Sequence, residues 1–234
     1  EFRLVLFRSI ITARLSLLPS LPYDPVKDFE PVTMVATGVT VLVTNPSVPV
    51  TSAGELIAHA KQNGKLSFSS AGNGSISHLT GELLKDVTGI PLQHIPYKSA
   101  GFALTAILTG EVQVSFLSPV TAYAQLKAGK VRALAHWGDG RLASMPDVPS
   151  FKEMGVKIEF SQWAGLFVPS ATPDYITNKL REAAKQAAND ERVRAVINGA
   201  GSPIQYLDAP EFKVYWDKES AQMGDVVRKI GKVE

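Results

Sequence analysis

The 234-residue sequence contains no cysteine. Disulfides, thiol nucleophiles and cysteine-held zinc are therefore excluded, while the compartment stays open, since Cys-free proteins occur in oxidising and reducing compartments alike. No stretch reaches the run of roughly 20 apolar residues that a membrane helix needs. Charge has no bias either: 24 Lys and Arg stand scattered against 22 Asp and Glu, which leaves no basic stripe and so no nucleic-acid partner. Catalytic signatures are missing too. There is no H-E-x-x-H and no G-x-S-x-G elbow. The Gly-Lys pairs at Gly64-Lys65, Gly129-Lys130 and Gly231-Lys232 are followed by Leu, Val and Val, so none opens a Walker loop. His59, His94 and His136 fall on separate expected elements without metal-ligand spacing, and structural roles are expected for them. Asp147 and Glu153 lie in a loop with no partner carboxylate at a predictable distance.

What is present is an ordinary globular composition, 45% hydrophobic and 20% charged, long enough to bury a sizeable core in one large domain or two small ones. The most informative stretch runs from Lys65 to Thr80. It reads as a short strand, a turn of small polar residues, and an amphipathic helix with Leu79, Leu83, Leu84 and Val87 on one side. Gly72 and Gly74 allow positive φ and close approach of another molecule, and Ser75 and Ser77 can cap the helix or donate hydroxyls. Free N–H groups at a helix start, aligned with the helix dipole, suit an anion, so a carboxylate site is expected here. The plainer alternative, a turn that only packs helix on strand, stays open on local sequence. The turn is no dinucleotide fingerprint, because a Ser stands where the third Gly belongs.

Along the chain, Glu1 to Pro19 carries Arg3, Arg8 and Arg14 between apolar residues too broken for a signal-peptide core; a fragment or processed product is expected. Leu4 to Phe7 resembles an interior strand. After a Pro-punctuated loop, Phe29 to Asn45 predicts one long strand. Ser52-Ala53-Gly54-Glu55 is a capping box opening a helix that Gly64 closes. Strands at Leu92–Tyr97, Val112–Phe116 and Val131–Trp137 alternate with short helices at Ala103–Leu108 and Val120–Leu126, which predicts a parallel or mixed sheet covered on both faces. A second long extended run spans Phe160 to Pro169. Thr172-Pro173 starts a helix with Thr as N-cap, Val193, Val196 and Ile197 begin another, and Glu211 to Ile230 forms a last one. The two extended runs bracket an α/β block, which is the pattern of an inserted lobe with a ligand cleft.

Several motifs follow in a fixed order. Pro22-Tyr23-Asp24-Pro25 with Asp28-Phe29 comes first, then Ser70-Ala71-Gly72-Asn73-Gly74-Ser75 with His78-Leu79. Pro96-Tyr97-Lys98, Gly110-Glu111-Val112, Gly129 to Ala135, Pro146 to Ser150 and Gly165 to Pro169 complete the set. Together, from about Leu4 onward, they resemble the TctC or Bug family, the extracytoplasmic solute receptors of tripartite tricarboxylate transporters. The resemblance implies an α/β fold of the two-lobed type II periplasmic binding class, with two interlobe crossings and a first lobe incomplete at its N-terminus. Lobe one would comprise residues 1–45 and 166–234, and lobe two residues 46–165. It implies binding without catalysis, a periplasmic location, no cofactor and no metal. The ligand would be a small organic anion: a di- or tricarboxylate, an acidic amino acid or an aromatic acid. Integral-membrane transporter subunits would receive it.

Carried over residue by residue, the ligand loop is Ser70, Ala71, Gly72, Asn73, Gly74, Ser75 and His78, and Ser118 and Thr121 are expected to contribute to the same cleft. Ser99-Ala100 departs from the family's usual Gly after Pro96-Tyr97-Lys98, and His136-Trp137-Gly138-Asp139 is also unusual. Lys98 could neutralise a carboxylate or lie exposed; Trp163 could stack on a ligand or fill a core. A ligand-sensing module on the same fold is the alternative, and an α/β hydrolase lacking its nucleophile motif is the third.

Overall fold

The structure, a computed structural model, describes residues 5–8, 23–24, 26–64, 66–138, 140–156, 162–199 and 204–230. It divides into two compact units, Glu1–Gly38 with Gln162–Glu234, and Val39–Ser161. In chain order the strands are β1 (Val5–Arg8), β2 (Phe29–Gly38), β3 (Val41–Thr44), β4 (Leu66–Ser70), β5 (Leu92–Pro96), β6 (Val114–Leu117), β7 (Arg132–His136), β8 (Gln162–Pro169) and β9 (Ile204–Asp208). The helices are α1 (Ala53–Asn63), α2 (Ile76–Thr88), α3 (Ala100–Thr109), α4 (Pro119–Lys127), α5 (Asp174–Asn189), α6 (Glu191–Gly199) and α7 (Ala209–Ile230).

The discontinuous unit is built on an antiparallel sheet of order β1-β8-β2-β9. Its core is Met34, Trp163, Phe167, Phe212 and Trp216. Phe167 meets Phe212 and Trp216 edge to face at 5.3 and 5.1 Å, a favoured quadrupole geometry. Gly165 of β8 is required there: a Cβ on it would lie 2.4 Å from the Phe212 ring that α7 presses onto the strand. Trp163 is thereby a core residue.

The contiguous unit carries a mixed sheet of order β5-β4-β6-β3-β7, with β4 parallel to both β5 and β6 and β3 antiparallel to β6 and β7. Val41 and Val43 of β3 pack with Ala106 and Ile107 of α3 and with Met145 in its core. Helix α1 is capped as its sequence predicts, with Ser52 Oγ accepting from the Glu55 N–H. The Glu55 carboxylate reaches back one residue further, accepting from the backbone N–H and hydroxyl of Thr51. Gly64 ends the helix at φ 95°.

Several expectations are corrected. The single strand expected from Phe29 to Asn45 is two, β2 and β3, paired into different sheets. The division between units consequently falls at 38/39 rather than 45/46, and at 161/162 rather than 165/166, since β8 pairs along its length with β2. Strand β9 has no counterpart in the sequence prediction. Thr172 is not the N-cap of α5: Pro173 holds that position, without a side-chain cap bond. The buried side of α2 is His78, Leu79, Thr80, Gly81 and Leu84, and Val87 is exposed. Lys65, Asp139, Phe160, most of Glu1–Pro19 and the region around Gly201 lie outside the described residues.

Candidate functional site

Strands β5, β4 and β6 run parallel, so the turns leaving their C-terminal ends gather on one edge of the sheet. From β4 the chain passes through α2 to β5 on one side, then through α3 to β6 on the other. The direction of winding reverses between β4 and β6, and open α/β sheets hold ligands outside the strand ends at such a reversal. The turn 71–75 leaves β4 at this point and Ser118 leaves β6 beside it. Beneath them the two strands are tied by Ser69 Oγ to Ser115 Oγ at 2.9 Å, and Ser69 Oγ also donates to the Ala103 carbonyl of α3.

The turn itself is held from inside. Gly72 and Gly74 stand at φ 108° and 71°, where a side chain would be strained. The Ala71 N–H donates to Ser77 Oγ at 3.1 Å, the Gly72 N–H to Ser70 Oγ at 3.1 Å, and the Ser75 N–H to the Gly72 carbonyl at 3.1 Å. The Gly74 N–H donates to His78 Nδ1 at 3.0 Å. Ser75 is the N-cap of α2, its Oγ accepting from the His78 N–H and lying 3.2 Å from Ser77 Oγ. An anion cradle made of every N–H in the turn is therefore not what forms, because most of them are already used. The donors left to a ligand are the Asn73 N–H, the N–H groups of Ile76 and Ser77, which as first-turn groups have no intrahelical acceptor, the Asn73 side-chain amide, and one hydroxyl proton of the bonded Ser75–Ser77 pair.

Ser118 and Thr121 form a second, smaller group. Ser118 caps α4, accepting from the Thr121 N–H, and the two hydroxyls lie 2.9 Å apart. Lys98, leaving β5 on the same edge, is exposed.

Below the turn lies a feature that residue spacing did not reveal. His78 stacks on His94 of β5 with ring centroids 4.0 Å apart and planes at 14°. His94 stacks in turn on Phe68 of β4 at 4.9 Å, and its Nε2 lies 2.5 Å from Ser70 Oγ. The parallel register sets Phe68 directly beside His94, a pairing that no local pattern encodes. Since His78 Nδ1 accepts from Gly74, the ring is neutral with its proton on Nε2, 4.0 Å from the Glu82 carboxylate. Burial pushes the His78 pKa below its ordinary value, with Lys85 adding to this and Glu82 opposing it. For His94, burial with the neighbouring His78 and Lys85 lowers it to about 4. Both rings are uncharged at neutral pH.

His136 is remote in role: it is fully buried on β7, its Nδ1 accepting from the Gly138 N–H. His59 pairs with Asn63 on the surface of α1. Glu153 accepts from Ser150 and bridges Arg141 at 2.9 Å, an ion pair that ties a loop. Among the described residues, no helix is long and apolar enough to cross a membrane.

The model of the "Tripartite tricarboxylate transporter family receptor" family matches residues 4–232. The chain belongs to this family. A curated relative from Agrobacterium vitis, "UPF0065 protein in the TAR-I ttuE-ttuC' intergenic region", is 33% identical over 194 residues, or 82% of the chain. The chain spans 56% of that relative's length. Among solved structures, a periplasmic transporter matches with TM-score 0.88 and 32% identity over 99% of this chain and 79% of its own. An adipate-bound protein of R. palustris matches at 0.86 and 26%, covering 96% and 76%. MatC of Rhodopseudomonas palustris, with bound malate, matches at 0.80 and 28%, covering 95% and 78%. The fold is that of the two-lobed periplasmic binding proteins, and this family is one of receptors rather than enzymes.

Proposed function

We propose that this chain belongs to a periplasmic receptor that captures a small organic acid and hands it to the membrane subunits of a tripartite tricarboxylate transporter. The ligand's carboxylate sits on the turn that joins β4 to α2. The observation that carries this reading is the juxtaposition of two capped helix starts, at Ser75 and Ser118, where the winding of the sheet reverses. The donors are the N–H groups of Asn73, Ile76 and Ser77 with the one hydroxyl proton that the bonded Ser75–Ser77 pair leaves over. Ser118 and Thr121 offer hydroxyls to a second polar group of the ligand. Neutral donors satisfy a carboxylate without the desolvation penalty of a buried ion pair, and the dipole of α2 adds its positive end. Similar proteins hold malate and adipate, which supports a dicarboxylate as the ligand class.

The test is thermal-shift screening against malate, adipate, citrate, glutamate and benzoate, followed by calorimetry on any compound that stabilises. Binding raises the melting temperature because only the folded state binds; at 100 times Kd the gain is about 2.7 kcal/mol. Gly74→Val should abolish the shift, since a β-branched residue is strained at φ 71° and the turn would rearrange. No stabilisation by any acid of the panel, or an unchanged affinity in Gly74→Val, would overturn the assignment.

A further inference from the structure

We propose that His94 is a positioning residue for the turn between β4 and α2, holding Gly72 and Gly74 in place through Ser70 and His78. The inference rests on the ligand reading above for its functional consequence, but its geometry stands by itself. Two N–H groups fix the turn at its two left-handed residues. Gly72 donates to Ser70 Oγ and Gly74 to His78 Nδ1. His94 touches both of those acceptors, by a 2.5 Å contact to Ser70 Oγ and by a 4.0 Å stack on the His78 ring.

Ser70 Oγ has three polar partners and one proton: the Gly72 N–H, the Gly72 carbonyl and His94 Nε2. All three are satisfied when His94 Nε2–H donates to Ser70, and the Ser70 hydroxyl donates to the Gly72 carbonyl. That arrangement fixes the His94 tautomer and needs a ring nitrogen at this position. An apolar ring would supply the stack without the hydrogen bond. Behind His94 the fully buried Phe68 is stacked at 4.9 Å and braced edge to face by Phe116 at 5.5 Å. The ring therefore has a fixed base and cannot follow the turn outward.

The test compares wild type, His94→Phe and His94→Gln by NMR-detected amide hydrogen exchange without ligand, and by calorimetry with malate and adipate. His94→Phe keeps the stack and removes the donor. Exchange of the Gly72 and Gly74 amides should accelerate about tenfold, the equivalent of one neutral hydrogen bond, while β4 and β6 amides stay protected. His94→Gln, whose side-chain amide can donate to Ser70, should restore part of the protection, a rescue that loss of packing would not give. In parallel, the Kd for whichever acid binds should rise several-fold in His94→Phe and recover in His94→Gln.

Unchanged Gly72 and Gly74 exchange in His94→Phe overturns the proposal. So does a loss that spreads evenly through β4 and β6, since His94 would then be only a core residue. If His94→Phe does not fold, His94→Leu, which also lacks the donor but leaves Ser70 Oγ in place to accept from the Gly72 N–H, is held to the same expectation. Should wild type bind no acid of the panel, the ligand reading fails, and the exchange arm still decides the positioning role.

Discussion

Gly81, in the second turn of α2, shows how a single residue can be set by a contact far along the chain. A Cβ there would lie 2.3 Å from Phe68 Cε2 and 2.5 Å from its Cζ. In an exposed helix, Gly→Ala gains about 1 kcal/mol from backbone entropy and propensity. Overpacking a filled core costs about 1–3 kcal/mol. The clash should win, because the struck atoms belong to a ring that is fully buried and stacked against His94. Gly81→Ala is expected to lower stability by about 1–2 kcal/mol in urea unfolding followed by fluorescence. A gain would mean that the Phe68 ring shifts freely. Neither Gly81 nor His94 could be interpreted in this way from the sequence. The Phe68–His94 pair is set by the parallel register of β4 and β5 and the Phe68–Gly81 contact by the packing of α2 on β4, and neither is a local pattern.

At the scale of elements, legibility followed locality. The strand, glycine turn and helix around Ser70–Ser75 were readable because the turn demands glycine and the cap demands a hydroxyl within a few residues. The side of α2 that is buried was misjudged by a partial rotation, since apolar periodicity marks Val87 but not the His78, Thr80 and Gly81 that actually pack. β9 escaped because a short strand of mixed polarity declares itself only through pairing with β2. The β4–α2–β5 layer should also be acid-labile in a defined window. His78 and His94 titrate below the ordinary histidine value of 6.5 when folded, His94 near 4, and buried His136 is lowered as well. The unfolded chain therefore binds more protons than the folded one between about pH 6.5 and 4, so stability falls as pH drops through that window and these groups contribute no slope above it. The lowered carboxylates Asp24, Glu55, Glu153, Asp190 and Asp208 act below about pH 4.5 and overlap only its lower end. Groups facing the pair are Glu82 and Lys85 from α2, opposing and adding to the shift of His78. Denaturant unfolding at pH 7.5, 6 and 5 should show a progressive loss in wild type, at most about 1.4 kcal/mol per pH unit for each histidine, and a shallower slope in His94→Phe. Equal slopes would remove His94 from the account.

For the molecule as a whole, the two units differ in how the chain builds them. One is assembled from both ends of the sequence, and its sheet needs β1 and β2 from one end with β8 and β9 from the other. The other is a single uninterrupted segment, Val39–Ser161, that contains all five strands of its sheet, its own hydrophobic core and the whole of the Ser70–His78 turn. The two-lobed organisation was legible in the sequence from the extended runs that bracket this segment. The crossing points were not, because β3 looks like a continuation of β2 until its pairing with β6 and β7 is known. A segment of this length that closes its own sheet buries enough apolar surface to offset chain entropy, as domains of comparable size do. A fragment of residues 39–161 should accordingly fold on its own, giving a dispersed amide spectrum and a single cooperative unfolding transition. In that fragment the Gly74 amide should retain the protection that His78 and His94 give it in the full chain, since all of those contacts lie within the segment. A collapsed spectrum would mean that the segment depends on the rest of the chain for its stability. A folded fragment with an unprotected Gly74 would mean that the turn, though built entirely from this segment, takes its conformation from outside it.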